Sequence, residues 1–444
     1  MISSGSRTTS EVHVVPAGDP TAAPRVITLR RAGHEYSLDH QGDRFVLLTN
    51  DEAEDFRVAV APVDDPGFER WTELVEHEPG RRIAQVDAFA GHLLLHEWAD
   101  GTPRLRVLFA DGHEHVLTFD TEVHDVEPGS NAQFDTTVLR FEYEALGVPA
   151  QVLEEDLSTG VRALLKQQPV LGDFDPAHYR SARLWAVAPD GTRVPIDVIH
   201  HVDTPIDGTA PALVYGYGAY EISIPTYFSI ARLSLLDRGV VFALVHPRGG
   251  GELGRQWYLD GKFEHKPNTF SDTIACAEHL VATGYAAPGR LALRGRSAGG
   301  LLVGACVNAR PDLFATALAE VPFVDVVNSM SDETLPLTVG EWEEWGDPRT
   351  EAYGPVMCSY SPYDNVAPVA YPAMLVTGGL NDPRVGFHEP AKLVAKLRAT
   401  ATGTKPLLLR TELGAGHGGP SGRYEAWRDE ARVLAFVLHT LGVS

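Results

Sequence analysis

From His34 to Leu165 the chain consists of apolar stretches of four or five residues separated by turns rich in Gly, Pro, Asp and Asn. That spacing predicts short strands rather than helices. His34–Leu38, Arg44–Leu48, Phe56–Val60 and Trp71–Val75 form one set of four. Arg82–Val86, His92–His96, Leu105–Phe109 and His115–Thr118 form a second, and Val123–Val126, Thr137–Phe141, Ala150–Leu153 and Val161–Leu165 a third. Four strands recurring every roughly 40–50 residues predict the blades of a β-propeller. The sets share little residue identity, so the repeat is one of structure. Ser10–Val15 and Val26–Leu29 read as remnants of an earlier blade, giving about three and a half blades.

Past residue 180 the pattern changes. Ala212-Leu-Val214, Arg290-Leu-Ala-Leu-Arg294, Ala373-Met-Leu-Val-Thr377 and Leu407-Leu-Leu-Arg410 are compact apolar strands. Leu301, Leu302, Ala305 and Cys306 recur at helical spacing before Arg310-Pro311 ends the run. Strands alternating with helices predict a doubly wound, mostly parallel sheet. The expected division is a partial propeller over residues 1–178 and an α/β domain over 179–444.

The chemistry gathers in the second part. Gly295-Arg-Ser-Ala-Gly-Gly300 fits the G-x-S-x-G elbow, a sharp strand-to-helix turn that lifts a serine hydroxyl clear of the sheet. A pentapeptide of this kind also arises by chance in glycine-rich turns, so its partners decide. A serine needs an oriented imidazole to take its proton, and in α/β-hydrolases the chain order is Ser, acid, His. Asp382 follows the strand Ala373–Thr377, and His417 lies in the loop Gly414–Gly419 after Leu407–Arg410. Singly, Asp382 before Pro383 reads as a turn residue, and a histidine among glycines as a loop residue without a task. Together, in order and each after a strand, they predict a triad on an α/β-hydrolase domain.

Composition narrows the partners. The 444 residues carry a net charge of −23, with 15 basic against 32 acidic side chains in residues 1–180. Such acidity argues against nucleic acid or an anionic membrane and suits cationic peptides. Cys276, Cys306 and Cys358 are widely spaced and odd in number, so neither a disulfide framework nor a zinc site is expected. Gly216-Tyr-Gly218, Gly249-Gly-Gly251 and His113-Glu-His115 each lack the remaining residues of a dinucleotide, phosphate or zinc motif. No cofactor and no metal is expected. The N-terminus has no apolar h-region, and no run approaches transmembrane length, which fits a cytoplasmic enzyme.

Several blocks in one order resemble the prolyl oligopeptidase family, most closely its oligopeptidase B branch. They are Leu213-Val-Tyr-Gly-Tyr-Gly-Ala-Tyr220, Arg248-Gly-Gly-Gly-Glu-Leu-Gly254, Ser297-Ala-Gly-Gly-Leu-Leu302, Val321-Pro-Phe-Val-Asp-Val-Val327, Gly340-Glu-Trp-Glu-Glu-Trp-Gly346, Ser359-Tyr-Ser-Pro-Tyr-Asp-Asn365 and Glu389-Pro-Ala-Lys392. The resemblance covers residues 180–444 strongly and the rest more loosely. It implies Ser297 as nucleophile, His417 as general base and Asp382 as its orienting acid. The Tyr217 hydroxyl and the backbone N–H of Ala298 would form the oxyanion hole. Glu341 and Glu343 would receive an Arg or Lys side chain, although unaided they read as a solvated acidic stretch with Glu344 and Asp347. Arg384 would hold the substrate backbone. The implied activity is a serine oligopeptidase that cuts short basic peptides after Arg or Lys through an acyl-enzyme. A prolyl-type peptidase or esterase is the second reading, with Trp342 a candidate to stack on proline; an inactive remnant or interaction protein is the third.

The chain departs from the family in three places. Arg296 stands where the family usually has glycine before the elbow serine. Ile224-Pro-Thr-Tyr227 replaces a stretch that carries acids in many relatives, so a second basic-residue subsite is not expected. The family's propeller has seven blades behind an N-terminal segment, and half a ring leaves open edges. A fragment or wrong start is preferred to a missing half supplied by another polypeptide or to a shortened form that folds. Alone, such a chain is expected to be unstable.

Overall fold

The computed structural model describes residues 2–444, with side chains from Gly5 onward. The chain divides into two compact units. One comprises Met1–Ala145, Pro149–Pro169 and Glu252–Gln256; the other comprises Leu146–Val148, Val170–Gly251 and Trp257–Ser444.

The first unit holds three four-stranded antiparallel sheets, each with its strands in chain order. They are Tyr36–Gln41, Arg44–Thr49, Arg57–Pro62 and Thr72–Val75; then Arg81–Ala88, His92–Ala99, Thr102–Phe109 and Glu114–Val116; then Asp125–Pro128, Val138–Ala145, Val148–Asp156 and Val161–Gln167. These are the propeller blades expected from the repeat. Ahead of them Ile2–Gly5, Ser10–Val14 and Arg25–Val26 pair in a smaller sheet. Its first strand was not anticipated, and Val26–Leu29 contributes only its start.

Blade stacking explains the continuous apolar runs. Strand residues point alternately to opposite faces. In Arg44–Thr49, Val46 and Leu48 pack with Val58, Ile83 and Leu95, whereas Phe45 and Leu47 pack with Val12, Ile27 and Tyr36. Both faces are buried, so both must be apolar, and the simple polar alternation of a solvated sheet disappears. Buried charge is paired where it occurs. Glu97 is fully buried and accepts from Arg104 Nε and Arg106 Nε, each at 3.0 Å.

The second unit is one eight-stranded sheet: β1 (Tyr179–Val187), β2 (Arg193–His201), β3 (Ala212–Tyr215), β4 (Val241–Val245), β5 (Leu291–Arg296), β6 (Thr316–Glu320), β7 (Ala373–Gly379) and β8 (Leu407–Glu412). Its order is β1-β2-β4-β3-β5-β6-β7-β8. The β1–β2 and β2–β4 pairs are antiparallel, and every later pair is parallel. This is the α/β-hydrolase domain. Its helices include α1 (Pro267–Ala282), α2 (Ala298–Ala309), α3 (Thr338–Trp345) and α4 (Arg423–Leu441). Every residue of α2 from Ala298 to Val307 is buried, so this helix has no polar face. Among the described residues no helix is long and apolar enough to cross a membrane.

Asp125 in the third blade is almost fully buried, and burial, with Glu127 and Glu144 adding to it, pushes its carboxyl up to about 7. The folded state therefore holds this proton more tightly than the unfolded chain does. Stability from that proton is complete below about pH 4 and is lost as pH rises towards 7. Asp125→Asn is expected to raise the melting temperature at pH 8 by about 2–4 °C. In calorimetry the gain should vanish below about pH 4.

Candidate active site

The site grows out of the C-terminal ends of the parallel strands, where ligands and catalysis collect in open α/β sheets. Ser297 directly follows β5 and adopts φ 57°, ψ −116°, a region that costs a non-glycine residue about 1–3 kcal/mol. Hydrogen bonds over-determine it. Its N–H donates to Glu320 O at 2.8 Å, and its carbonyl accepts from Gly300 N at 2.9 Å, Leu301 N at 3.2 Å and Phe323 N at 3.1 Å. The small neighbours are required by crowding. A Cβ on Gly295 would stand 2.1 Å from Gly299 O, one on Gly299 2.6 Å from Gly216 O, and one on Gly300 2.3 Å from Pro322 Cβ.

Asp382 lies on the loop after β7 with its side chain 1% exposed. Its two oxygens do different things. Oδ1 accepts from Arg384 N at 2.8 Å and Val385 N at 3.0 Å, which is the turn role. Oδ2 meets His417 Nδ1 at 2.7 Å, which is the orienting role. With the Nδ1–H donated to the carboxylate, the outer nitrogen of His417 is left with its lone pair. The ring is 17% exposed. No hydrogen bond joins Ser297 Oγ to His417; such catalytic contacts often tighten only when substrate is present.

Tyr217 follows β3 beside the first turn of α2, with its Cδ2 3.4 Å from where a Gly299 Cβ would be. Ala298 opens α2, so its N–H has no partner inside the helix and is free for an anion. Behind this loop Gly218 sits at φ +68°, where a Cβ would meet Thr269 Cγ2 at 2.5 Å. Lys266, 2% exposed, donates to Gly218 O. Burial lowers its ammonium to about 8, with Glu344 opposing that shift.

The acidic segment is not a solvated stretch. Glu344 is 1% exposed and accepts from Tyr220 N at 2.8 Å and Tyr258 Oη at 2.6 Å. Glu341 is half-buried; its Oε2 accepts from Tyr220 Oη at 2.8 Å and lies 3.2 Å from Trp345 Nε1. Glu343, also half-buried, lies two residues on, roughly 200° around α3, so the two carboxylates leave the helix from different faces. Glu341 is linked to the elbow through packed rings. The Phe323 ring packs 5.3 Å from that of Trp345, and Phe323 N is the donor to Ser297 O.

Arg384 is exposed. Trp342 is occupied: Nε1 donates to Met330 O at 3.0 Å, and the Arg349 guanidinium lies 4.7 Å over its ring. Sequence reasoning missed Tyr220, Tyr258, Lys266 and the burial of Glu344. Only the tyrosines in the Leu213–Tyr220 block offered a signal. Among the described residues no cluster of His, Cys, Asp or Glu is placed to hold a metal.

An α/β-hydrolase sheet with Ser, Asp and His at its strand ends, in a chain that also carries propeller blades, defines a narrow class. The family model "Prolyl oligopeptidase family" matches residues 226–444, and "Prolyl oligopeptidase, N-terminal beta-propeller domain" matches residues 1–168. The chain belongs to the prolyl oligopeptidase family. It is 44% identical to dipeptidyl aminopeptidase BI of Pseudoxanthomonas mexicana over 100% of this chain and 61% of that protein. With Protease 2 of Moraxella lacunata it shares 40% identity over 99% of this chain and 63% of the relative. Oligopeptidase B from Leishmania major superposes with TM-score 0.95 at 37% identity, covering 99% of this chain and 63% of that one. Oligopeptidase B from Trypanosoma brucei with covalently bound antipain gives TM-score 0.95 at 39% identity, over 100% and 64%. The chain thus spans about three-fifths of the length of the curated relatives it matches.

The crowding at the elbow predicts a sharp intolerance. Gly295→Ala should cost about 1–3 kcal/mol of stability, the usual penalty for over-packing, read as a lower midpoint in urea unfolding.

Proposed function

We propose that this chain is a serine peptidase that hydrolyses short peptides on the carboxyl side of Arg or Lys through an acyl-enzyme. The observation that carries the peptidase reading is the buried Asp382 carboxylate holding His417 Nδ1 at 2.7 Å, with Ser297 strained outward on the neighbouring elbow. His417 takes the Ser297 hydroxyl proton as Oγ attacks the substrate carbonyl carbon. The developing oxyanion is met by the Ala298 N–H and the Tyr217 hydroxyl. The C–N bond then breaks, and the leaving amine takes the proton from His417. Water, deprotonated by the same ring, releases the acyl group and regenerates Ser297.

Glu341 supports the choice of a basic residue before the scissile bond. A half-buried carboxylate favours a guanidinium or ammonium, because such a cation is costly to desolvate unless an anion meets it. In this reading Glu343 adds negative charge from its own face of α3, and Arg384 steadies the substrate backbone. Two named relatives, a dipeptidyl aminopeptidase and Protease 2, fit peptide substrates. The rings of Tyr220, Phe323 and Trp345 around Glu341 favour a second reading, in which the same pocket takes an apolar residue such as proline.

A fluorophosphonate probe should label the protein, and Ser297→Ala should abolish that label; a folded chain that never labels would refute a live nucleophile. Among Arg, Lys and Pro reporter amides and an aryl ester, the Arg amide should turn over faster than the Pro amide. Glu341→Gln should lower kcat/KM for Arg about 10–100-fold, the worth of one hydrogen bond to a charged group. It should leave the aryl ester within about twofold. Faster turnover of the proline reporter would select the second reading.

A further inference from the structure

Arg296 stands beside Ser297, and the structure gives it a task. It is the last residue of β5, adjacent to Ser297. Its guanidinium Nη2 donates to the backbone carbonyl of His417. No carboxylate pairs with Arg296 among the described residues. Glu320, which borders the same two cavities, is engaged by Arg294 at 2.8 and 3.1 Å. The hydrogen bond to His417 O therefore has the whole cation behind it, which makes it one of the stronger kind.

The loop it holds needs holding. Four of the six residues in Gly414–Gly419 are glycine, the residue that loses most conformational freedom on ordering. Few bonds restrain this loop from elsewhere in the fold. Asn381 N donates to Ala415 O at 3.1 Å, and Gly419 N closes a tight turn on Gly416 O at 3.2 Å. The Asp382 carboxylate fixes only the ring of His417. A ring hinged on a loose backbone still sweeps its outer nitrogen through an arc. A second point of attachment, on the same residue's carbonyl and from the strand that carries Ser297, removes that freedom. Arg296 also lines the small cavity bounded by Ala415, Gly416 and Gly419. Without the side chain the loop would span a void.

We propose that Arg296 is a positioning residue that straps the His417 loop to the nucleophile strand. The proposal rests on the assignment of His417 as general base. Its side chain acts through His417 and not by meeting the substrate.

The test compares the full chain with Arg296→Gly and Arg296→Lys, reading kcat and KM on the Arg reporter amide and amide hydrogen exchange in residues 413–422, with α2 as the internal reference. Arg296→Gly should lower kcat about 10–100-fold, the scale for a misplaced catalytic group. KM should stay within about twofold, and exchange should rise in the loop while α2 is unchanged. Arg296→Lys, which keeps a donor and a charge, should recover most of the rate. Wild-type kcat with wild-type loop exchange in Arg296→Gly overturns the proposal. So does a fall in KM at unchanged kcat, which would mean that Arg296 merely repels a cationic substrate. If the unaltered chain turns over no reporter, the peptidase reading fails by itself. Loop exchange then still decides the strap: faster exchange in Arg296→Gly supports it, and equal exchange overturns it.

Discussion

Everything at the site depends on one strained residue. Ser297 occupies a backbone conformation that a side chain rarely tolerates, and four hydrogen bonds to its own N–H and carbonyl keep it there. That constraint dictates glycine at positions 295, 299 and 300. It also brings Phe323 to Ser297 O, and with Phe323 the ring of Trp345 packed against it. The elbow, the first helical turn and this ring contact are therefore consequences of a single bend. The strain is local and small against the burial of the sheet beneath it, so the fold can sustain it.

The same bend shows which parts of the molecule were legible in the sequence. The strand-end positions of Ser297, Asp382 and His417 could be read because each follows its own apolar strand, and strand ends are recognisable from local pattern. The blades could be read because stacking leaves their strands apolar on both faces, bounded by turns. What stayed hidden was tertiary. Glu344 looks like surface charge in sequence, since nothing nearby announces that Tyr220 N and Tyr258 Oη will converge on it. Lys266 precedes an ordinary helix and becomes a buried donor only because the Tyr217–Tyr220 loop folds over it. Asp382 reads from sequence as a turn residue or as a partner of His417, and its two oxygens make both contacts, Oδ1 with the turn amides and Oδ2 with His417. The short strand Ile2–Gly5 lacks the apolar run by which the others were found.

Charge is distributed with the same economy. Three acids of the hydrolase unit illustrate this: Asp382 meets His417, Glu344 accepts from two tyrosines, and Glu389 accepts from the amides of Val324 and Asp325 and the Ser329 hydroxyl. Burial pushes Glu389 up to about 7 even so. The Glu389 bonds hold the segment Val321–Ser331, a loop that leads into the short helix Val326–Ser331. The large negative charge of the chain lies mainly in the first 180 residues.

Helix α2, buried on every side from Ala298 to Val307, carries a consequence for how the protein fails. In the folded state its lack of a polar face is invisible. Once the sheet opens, ten consecutive residues without a single charge enter water together. An exposed uncharged apolar segment of that kind favours association over refolding. The expectation for heat inactivation of this unit is then a one-way process, whose durability is a half-life and not an equilibrium constant.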